Sequence, residues 1–435
     1  MRKNNKIAYV GMSADIIHDG HINILKEANK YGKVIVGLLT DEAIASYKKL
    51  PLINFERRKM IVKNLRYVSK VVPQYSLDYV PNLKIFKPDF VIHGDDWKKG
   101  VQKKTRSDVI KELKKWSGKL IEPKYTTNIS STLIKKKILE IEISPQNRIS
   151  RLKRLINSKN IVRILESHSS LTGIIIENLK IKKKEKILEY DGMWSSSLTD
   201  SAMKGKPDNS SLDFSSRISS LNDMMDVTTK PVIFDADNGG QINHISFLVR
   251  SLERSGVSAL IIEDKVGIKK NSLFKNQSDT KQDSPENFAK KIKKICSSRK
   301  SKDLMVIARI ESFILGKNLN DAIKRAEIYS KSGADAILIH SKEKSPKEIF
   351  SFAKIFKKSK YYIPLVSVPS TYSKVYEQEL IDNGFKIVIY ANQLLRASYP
   401  SMRKVAEKIL EKGRAFDVEK KIIPIKEIIN LIKND

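Results

Sequence analysis

Two histidines near the start of the chain have a spacing that suits a phosphate-handling site. The segment Gly11–His21 (GMSADIIHDGH) places His18 and His21 three residues apart, after a predicted strand and at the start of a predicted helix. Side chains at this spacing share one face of a helix, and the free N–H groups of the first helical turn attract anions. We therefore expect both imidazoles to donate hydrogen bonds to a phosphate, although an HxxH pattern alone also occurs in metal sites and by chance.

Charged side chains in the second half of the chain repeatedly lie at the ends of short apolar segments. They are Asp235 and Asp237 (PVIFDAD), Glu263 (ALIIEDK), Arg309 (MVIARIE) and His340 (AILIHSK). Three carboxylates from neighbouring strand ends suit Mg²⁺, and arginine with histidine suits a phosphoryl group. The lysine-rich segment EDKVGIKKNS, which begins at Glu263, indicates a lid over an anionic, metal-bound substrate.

The first part of the chain alternates between strand-like and helix-like segments. A helix is predicted at His21–Tyr31, and strands are predicted at Lys6–Met12, Lys33–Thr40, Phe90–His93 and Lys119–Ile121. This alternation indicates an open, doubly wound α/β sheet, a Rossmann-like nucleotide-binding domain.

Beyond about residue 160, eight short apolar segments alternate with helical stretches, the count that closes a parallel (β/α)8 barrel. These predicted strands are Thr172–Glu177, Leu188–Trp194, Pro231–Asp237, Ala259–Lys265, Met305–Glu311, Ala336–Lys342, Ile363–Val368 and Lys386–Asn392. The charged residues named above lie at their C-terminal ends, where such barrels carry their chemistry. One of these residues taken alone could instead belong to a buried structural ion pair.

A chain of 435 residues is long enough for two domains. The stretch from Ile138 to Asn160 contains a proline and no apolar strand, so we place the boundary there. The predicted organisation is a Rossmann-like domain at residues 1–140, a linker at 141–158 and the barrel at 159–435.

Composition limits the classes of partner. The 82 lysines and arginines exceed the 49 acidic residues and give a net charge of +33, but they are spread along the chain and aromatics make up only 7%. A nucleic-acid surface needs clustered basic residues interleaved with aromatics, so we expect no nucleic-acid partner and a surface that attracts anionic metabolites. With no signal-peptide pattern, no apolar run of membrane-spanning length and one unpaired cysteine, Cys296, we expect a cytoplasmic protein and no membrane partner.

Three further segments accompany the histidine motif in the first part of the chain: RYVSKVVP from Arg66, HGDDW from His93 and NISST from Asn128. In this order the set resembles the glycerol-3-phosphate and phosphoethanolamine cytidylyltransferase family, with its patterns GxFDxxHxGH, RYVDxVIP, GDDW and RTxGISTT. The resemblance covers about 137 residues and implies CTP as a substrate.

The same resemblance implies a role for each matching residue. His18 and His21 would stabilise the transition state at the α-phosphate beside Asp15, and Arg66 would contact the acceptor. The other residues assigned by the resemblance would bind the nucleotide. They are Gly11, Met12, Lys48 or Lys49, Asp95, Trp97, Ser130 and Thr132. Three positions depart from the family pattern, namely Ala14 for Phe, Ser69 for Asp and Tyr125 for Arg, and the last implies an altered phosphate contact.

The second part of the chain resembles phosphoenolpyruvate mutase, a member of the isocitrate lyase superfamily, over about residues 150–435. The shared segments are WSSSL, DAD, EDKxxxKxNS, ARxE, HSK and ANQLLRAS. The resemblance implies that Asp235 binds Mg²⁺, with Asp237 and Glu263 acting through waters. It places Trp194, Ser196, Ser197 and Leu198 at the substrate carboxylate, Arg309 and His340 at the phosphoryl group, Lys269 and Asn271 on a gating loop, and Asp208 in the active site.

Two related reactions compete with the mutase. The superfamily's lyases use a cysteine on the gating loop, which is absent here, so C–C lyase activity is not expected. Phosphonopyruvate hydrolase remains open, and Asn271 favours the mutase. Ser197 replaces a usual glycine, and we expect it to restrict the backbone of that loop.

The fusion of the two families resembles the bifunctional enzymes of phosphonate biosynthesis, as in the fosfomycin pathway. It implies that the barrel makes a C–P bond and that the first domain transfers CMP from CTP to a phosphonate, 2-hydroxyethylphosphonate first and 2-aminoethylphosphonate second. A first domain that binds CTP without turnover also remains open. The superfamily resemblance further implies a homotetramer assembled through the C-terminal helices of the barrels.

Overall fold

The N-terminal part of the computed structural model is a five-stranded parallel sheet. The structure describes residues 6–47, 50–98, 102–124, 144–183, 186–267, 269–274, 277 and 280–431. The strands are β1 (Ile7–Met12), β2 (Lys33–Leu39), β3 (Lys70–Gln74), β4 (Phe90–Ile92) and β5 (Lys119–Ile121), in the order β3-β2-β1-β4-β5. The strand order reverses between β1 and β4, where sheets of this type open a ligand crevice. The predicted Rossmann-like fold is confirmed.

Helices cover both faces of this sheet because successive side chains of β1 point to opposite sides. Ala8 and Val10 pack in one apolar cluster and Tyr9 packs in another. The helices are α1 (Asp19–Ala28), α2 (Asp41–Ala45), α3 (Phe55–Lys63), α4 (Val80–Phe86) and α5 (Lys103–Leu113), with 3₁₀ turns at Asp95–Lys98 and Lys114–Trp116.

The second part is a closed barrel of eight parallel strands, as predicted. Its strands are β6 (Val162–Glu166), β9 (Gly192–Ser195), β10 (Val232–Asp235), β11 (Ala259–Glu263), β14 (Met305–Ile310), β15 (Ala336–Ile339), β16 (Leu365–Ser367) and β17 (Phe385–Tyr390). Two antiparallel pairs lie outside the barrel: β7 (Ile181–Lys183) with β8 (Lys186–Leu188), and β12 (Lys265–Val266) with β13 (Lys281–Gln282).

The helices of this part alternate with the barrel strands and continue beyond them. They are α6 (Pro145–Ser158), α7 (Ser170–Asn178), α8 (Ser197–Met203), α9 (Phe214–Met225), α10 (Ile245–Ser255), α11 (Pro285–Ser298), α12 (Leu319–Lys331), α13 (Lys347–Phe356), α14 (Glu377–Asp382), α15 (Gln393–Lys412), α16 (Phe416–Glu419) and α17 (Ile425–Leu431). Within the described ranges, none of the helices combines the length and the apolarity that crossing a membrane requires.

One predicted barrel strand is wrong. Thr172–Glu177 lies in helix α7, because the Ser169 side chain accepts from the Thr172 N–H and caps the helix. Its buried residues Thr172 and Ile176 stand four apart, which is the helical spacing. The first barrel strand is β6, ten residues earlier.

The stretch predicted as a linker at 141–158 contains helix α6 in its described part. Arg148, Ile149, Leu152, Leu155 and Ile156 are buried, and the Arg148 guanidinium donates to the carbonyls of Met225 and Thr228 at 3.0 and 2.7 Å. A fragment starting at residue 150 would therefore lose contacts of the barrel, and residue 144 is the better place to cut.

Candidate active sites

The first candidate site is a pocket at the C-terminal ends of β1 and β4, where the strand order reverses. Four of the predicted residues line it: Gly11, Met12, His18 and His21. Gly11 is required for packing, because a Cβ atom there would come within 2.2 Å of the Tyr79 hydroxyl. The strand ends and the start of α1 thus bring the histidine motif to the crevice.

The two histidines begin α1 side by side. His18 is the N-cap residue in extended conformation, its N–H lies 3.4 Å from His21 Nδ1, and the ring centroids are 4.0 Å apart. His18 Nδ1 is buried and has no hydrogen-bond partner within the described ranges. The Asp19 carboxylate lies 3.8 Å from it, beyond hydrogen-bonding distance, so this buried nitrogen at a helix N-terminus is suited to hydrogen-bonding a ligand.

Trp97 lies behind the pocket and not at its surface. Its side chain is 1% exposed, its Nε1 donates to Glu122 at 2.7 Å, and its ring stacks on His93 with centroids 3.9 Å apart. His93 itself lines the pocket. In this geometry Trp97 supports the His93 ring, and its contact with the base stays a prediction.

The other predicted residues of this domain are placed differently. Asp15 Oδ1 accepts the Ile53 N–H at 3.1 Å, and Arg66 is exposed. Neither these two nor Asp95 belongs to the pocket lining formed by the described residues. The remaining predictions, at Lys48, Lys49, Tyr125, Ser130 and Thr132, lie outside the described residues.

The second candidate site is a cavity at the C-terminal mouth of the barrel. It collects residues from six separate segments of the predicted set: Trp194, Ser196, Ser197, Leu198, Asp208, Asp235, Glu263, Lys269, Asn271, Arg309 and His340. Asp237 lies directly beside it, with its Oδ1 2.5 Å from the Lys269 ammonium. Parallel strands bring these side chains together because all their C-terminal ends open on one face.

Asp235 is the last residue of β10, and Asp237 follows it in a constrained turn. The Ser197 hydroxyl donates to Asp235 Oδ2 at 3.0 Å, and the Asp237 N–H donates to Asp235 Oδ1 at 3.2 Å. Asp237 has a φ of +51°, in the left-handed region that aspartate tolerates better than most residues. This backbone strain is of the kind that collects at functional sites.

The segment after β11 covers the cavity. The antiparallel pair β12 and β13 forms its base, and Lys269 Nζ lies 2.5 Å from Asp208 Oδ1. Asn271 Nδ2 donates to Asp208 Oδ2 at 2.8 Å. Two side chains of the predicted lid thus converge on Asp208 and hold the segment across the barrel mouth.

The carboxylates of this site have pKa values displaced in different directions. Burial raises the pKa of Glu263 to about 7, and burial together with the negative charge of Asp235 raises the pKa of Asp237. Burial also acts on Asp235, but the charges of Lys269 and Arg309 outweigh it and lower its pKa. Asp235 is therefore the carboxylate best kept ionised for binding a cation.

Arg309 and His340 are held together by a buried glutamate. Glu311 accepts from Arg309 Nε at 2.5 Å and lies 3.0 Å from His340 Nδ1, and the Ser272 hydroxyl also donates to it. Burial and the neighbouring Arg309 charge lower the pKa of His340, so its imidazole is neutral near pH 7. The arrangement orients one guanidinium and one neutral imidazole toward the cavity.

Sequence reasoning missed two residues that support the site. Glu311 ends the predicted strand Met305–Glu311, but the sequence motifs gave it no role in the site. Arg217 is 1% exposed and donates from Nε to Asp200 at 2.9 Å and from Nη1 to the Asp235 carbonyl. Arg217 stands four residues before Leu221 on the buried face of α9, and an arginine at such an apolar position was the available signal.

The oxygen donors near Asp235 fit a magnesium ion that keeps most of its waters. Among the described residues, no three histidines, cysteines or carboxylates lie close enough together to ligate one metal directly. Asp237 Oδ1 is buried and lies 2.5 Å from the Lys269 ammonium, so this carboxylate oxygen faces a site that already attracts a cation. Mg²⁺ is commonly held by one or two carboxylates, waters and substrate oxygens, which this donor set can supply.

Comparison with known proteins agrees with this geometry. Residues 152–410 match the family model described as phosphoenolpyruvate phosphomutase. The chain belongs to the phosphoenolpyruvate phosphomutase family. Residues 9–137 match a second model, described as cytidylyltransferase-like, so the predicted fusion of two enzyme domains is confirmed.

Relatives of the barrel include both competing activities. The chain is 35% identical to a phosphoenolpyruvate phosphomutase from Tetrahymena pyriformis over 67% of this chain and 93% of that protein. It is 32% identical to a phosphonopyruvate hydrolase from a Variovorax strain, over 61% of this chain and 91% of that protein. The solved structure of a phosphoenolpyruvate phosphomutase from Streptomyces platensis subsp. rosaceus superposes with a TM-score of 0.60 at 33% identity, covering 65% of this chain and 94% of that one.

The first domain resembles part of a longer enzyme. It is 35% identical to ethanolamine-phosphate cytidylyltransferase from Mus musculus, over 27% of this chain and 29% of that protein.

Proposed function

We propose that the barrel interconverts phosphoenolpyruvate and phosphonopyruvate. In the forward direction the bond from phosphorus to the enol oxygen breaks and a bond from phosphorus to C3 forms, so the reaction is a balanced isomerisation. A loose transition state of this kind depends on positioning and on charge neutralisation more than on a strong nucleophile. The observation that carries the proposal is the single cavity that combines Asp235 and Glu263 with Arg309, His340 and the Lys269 lid.

Each side chain has a distinct proposed task. Ser196 and the backbone near Leu198 bind the substrate carboxylate, while Arg309 and His340 bind the phosphoryl group. Asp235 would hold Mg²⁺ directly, and Asp237 and Glu263 would act through waters. The ion would neutralise charge on the substrate oxygens. A phosphonopyruvate hydrolase that is 29% identical, with a TM-score of 0.58, was solved in complex with oxalate and Mg²⁺, which supports a magnesium-dependent site in this barrel.

The lid distinguishes a mutase from a phosphonopyruvate hydrolase, because a mutase must keep water away from the transferring phosphoryl group. The contacts of Lys269 and Asn271 with Asp208 support a closed, dry site. The test supplies phosphonopyruvate and Mg²⁺ and measures phosphoenolpyruvate and free phosphate separately. Phosphoenolpyruvate without free phosphate supports the mutase, and stoichiometric phosphate release would replace it with a hydrolase.

We infer that the first domain transfers CMP from CTP to a phosphonate, with 2-hydroxyethylphosphonate the favoured acceptor and 2-aminoethylphosphonate the second. A phosphonate oxygen attacks the α-phosphorus, and the bond to the bridging oxygen breaks to release pyrophosphate. His18 and His21, side by side at the start of α1, would stabilise the charge that develops on the α-phosphate. Pyrophosphate release that depends on the acceptor tests this function. CTP binding without such release would leave a nucleotide-binding module.

We propose that the barrels assemble as a homotetramer through their C-terminal helices. Helix α15 is 20 residues long and has no buried residue in the isolated chain. Large apolar side chains are exposed both on this helix, as Leu410 is at 87%, and beyond it, as Ile425 is at 74%. An apolar surface of this kind commonly marks an interface between proteins.

A further inference from the structure

Helix α6, which precedes the barrel, contacts the first domain through Arg154. Its guanidinium donates to the carbonyls of Pro51 and Leu52, the latter at 3.3 Å, and lies 4.0 Å from Asp41. Leu50 packs in the same apolar cluster as Leu155 of that helix. The second domain therefore holds a specific loop of the first, through both hydrogen bonds and apolar packing.

This loop also contacts the histidine motif. The Ile53 N–H donates to Asp15, and the Ile53 carbonyl accepts from the buried Arg58 at 2.9 Å. Arg58 donates in addition to the carbonyl of Ser13, which lines the nucleotide pocket. Contacts thus run without interruption from Arg154 to the pocket wall.

Tyr47, three positions before Leu50, also lines the pocket. The Leu50–Ile53 loop is held by Arg154 on one side and by Asp15 and Arg58 on the other. A loop restrained in this way has fewer conformations, so ordering it costs less entropy when a nucleotide binds.

We propose that Arg154 is a positioning residue for the cytidylyl-transfer site, supplied by the helix in front of the barrel. The inference rests on the proposed function of the first domain. Arg154 acts through the Leu50–Ile53 loop and touches no substrate. The planar guanidinium of Arg154 donates from its two terminal nitrogens to two neighbouring carbonyls at once, and a lysine ammonium cannot reproduce this geometry.

The experiment compares full-length Arg154→Met and Arg154→Lys with wild type. The matched control is Lys153→Met, because the polar contacts of Lys153 among the described residues are with barrel groups, the Lys302 carbonyl at 3.2 Å and Asp335 at 3.8 Å. We expect Arg154→Met to raise the KM for CTP about tenfold, as one charged hydrogen-bonding group typically would. Arg154→Lys should fall between this variant and wild type. The control and the mutase activity of every variant should stay unchanged.

Unchanged KM and kcat for cytidylyl transfer in Arg154→Met would overturn the inference. So would equal losses in both activities, since these would indicate general damage to the fold. Calorimetric titration with CTP and Mg²⁺ measures binding apart from transfer. It therefore separates failure of the positioning role from failure of the proposed function. If wild type binds CTP but transfers nothing, the function is wrong, while a tenfold weaker binding in Arg154→Met still supports the positioning role.

Discussion

The substitution Glu311→Gln removes one buried charge from the centre of the mutase site. Glu311 is fully buried and interacts with Arg309, with His340 and with the Ser272 hydroxyl. Breaking a buried ion pair by removing one partner costs about 3–5 kcal/mol, because the other charge stays buried without compensation. A loss of that size lowers the thermal midpoint of the barrel by roughly 6 °C or more.

The same change should slow the mutase more than it weakens substrate binding. In Glu311→Gln the Arg309 guanidinium loses its negatively charged acceptor, since one oxygen becomes an NH2 donor, and a misplacement of about 1 Å in a positioned group can cost roughly 10²-fold in rate. We expect kcat for phosphonopyruvate conversion to fall about 100-fold, while cytidylyl transfer in the same protein stays at its wild-type rate.

Steady-state kinetics of both reactions and a thermal melt of the same sample provide the assay. The matched control is Glu56→Gln, an exposed glutamate 3.9 Å from Lys59, where the ion pair contributes at most about 1 kcal/mol. Full mutase activity with an unchanged melting midpoint in Glu311→Gln would refute the role given to this glutamate.

Four further outcomes are expected. His18→Ala and His21→Ala should each lower cytidylyl transfer about 10²–10³-fold and leave the mutase unchanged, since each removes one donor to the α-phosphate; wild-type transfer rates would make these histidines structural. Asp235→Ala should abolish C–P chemistry even in excess Mg²⁺, because the direct metal ligand is gone, and rescue by the metal would argue against that role. Asn271→Ala should slow the mutase and release some pyruvate and phosphate, as its bond to Asp208 helps to close the lid; a fast and leak-free variant would count against the gate. Light scattering should give a tetramer, and a monomer would exclude assembly through α15.

Motifs in the sequence were sufficient to predict both folds and most of the barrel cavity. The carboxylates after β10 and β11 are close in sequence to buried strands, and parallel topology fixes where strand ends meet. One barrel strand was misplaced because the apolar segment TGIIIE is too short to show a helical period unless the Ser169 cap is recognised.

Residues that act through long-range contacts could not be found in this way. Arg154 reaches a loop about a hundred positions earlier in the chain, and no local pattern links the two. Trp97 belongs to a matching motif, but whether a side chain faces a pocket or the core behind it depends on packing, which places this ring beneath His93. Motif membership therefore indicates that Trp97 lies near the pocket but does not show which groups its ring contacts.

The central claim is that one chain both forms a C–P bond and activates a phosphonate with CTP. The most direct test incubates the full-length protein with CTP, Mg²⁺ and, one at a time, a panel of phosphonates, followed by ³¹P NMR. We predict that 2-hydroxyethylphosphonate reacts faster than any other phosphonate in the panel. Its ³¹P resonance should be replaced by two coupled phosphorus signals from the CMP ester, and pyrophosphate should appear in equal amount. CTP that persists unchanged beside every phosphonate in the panel would contradict the account.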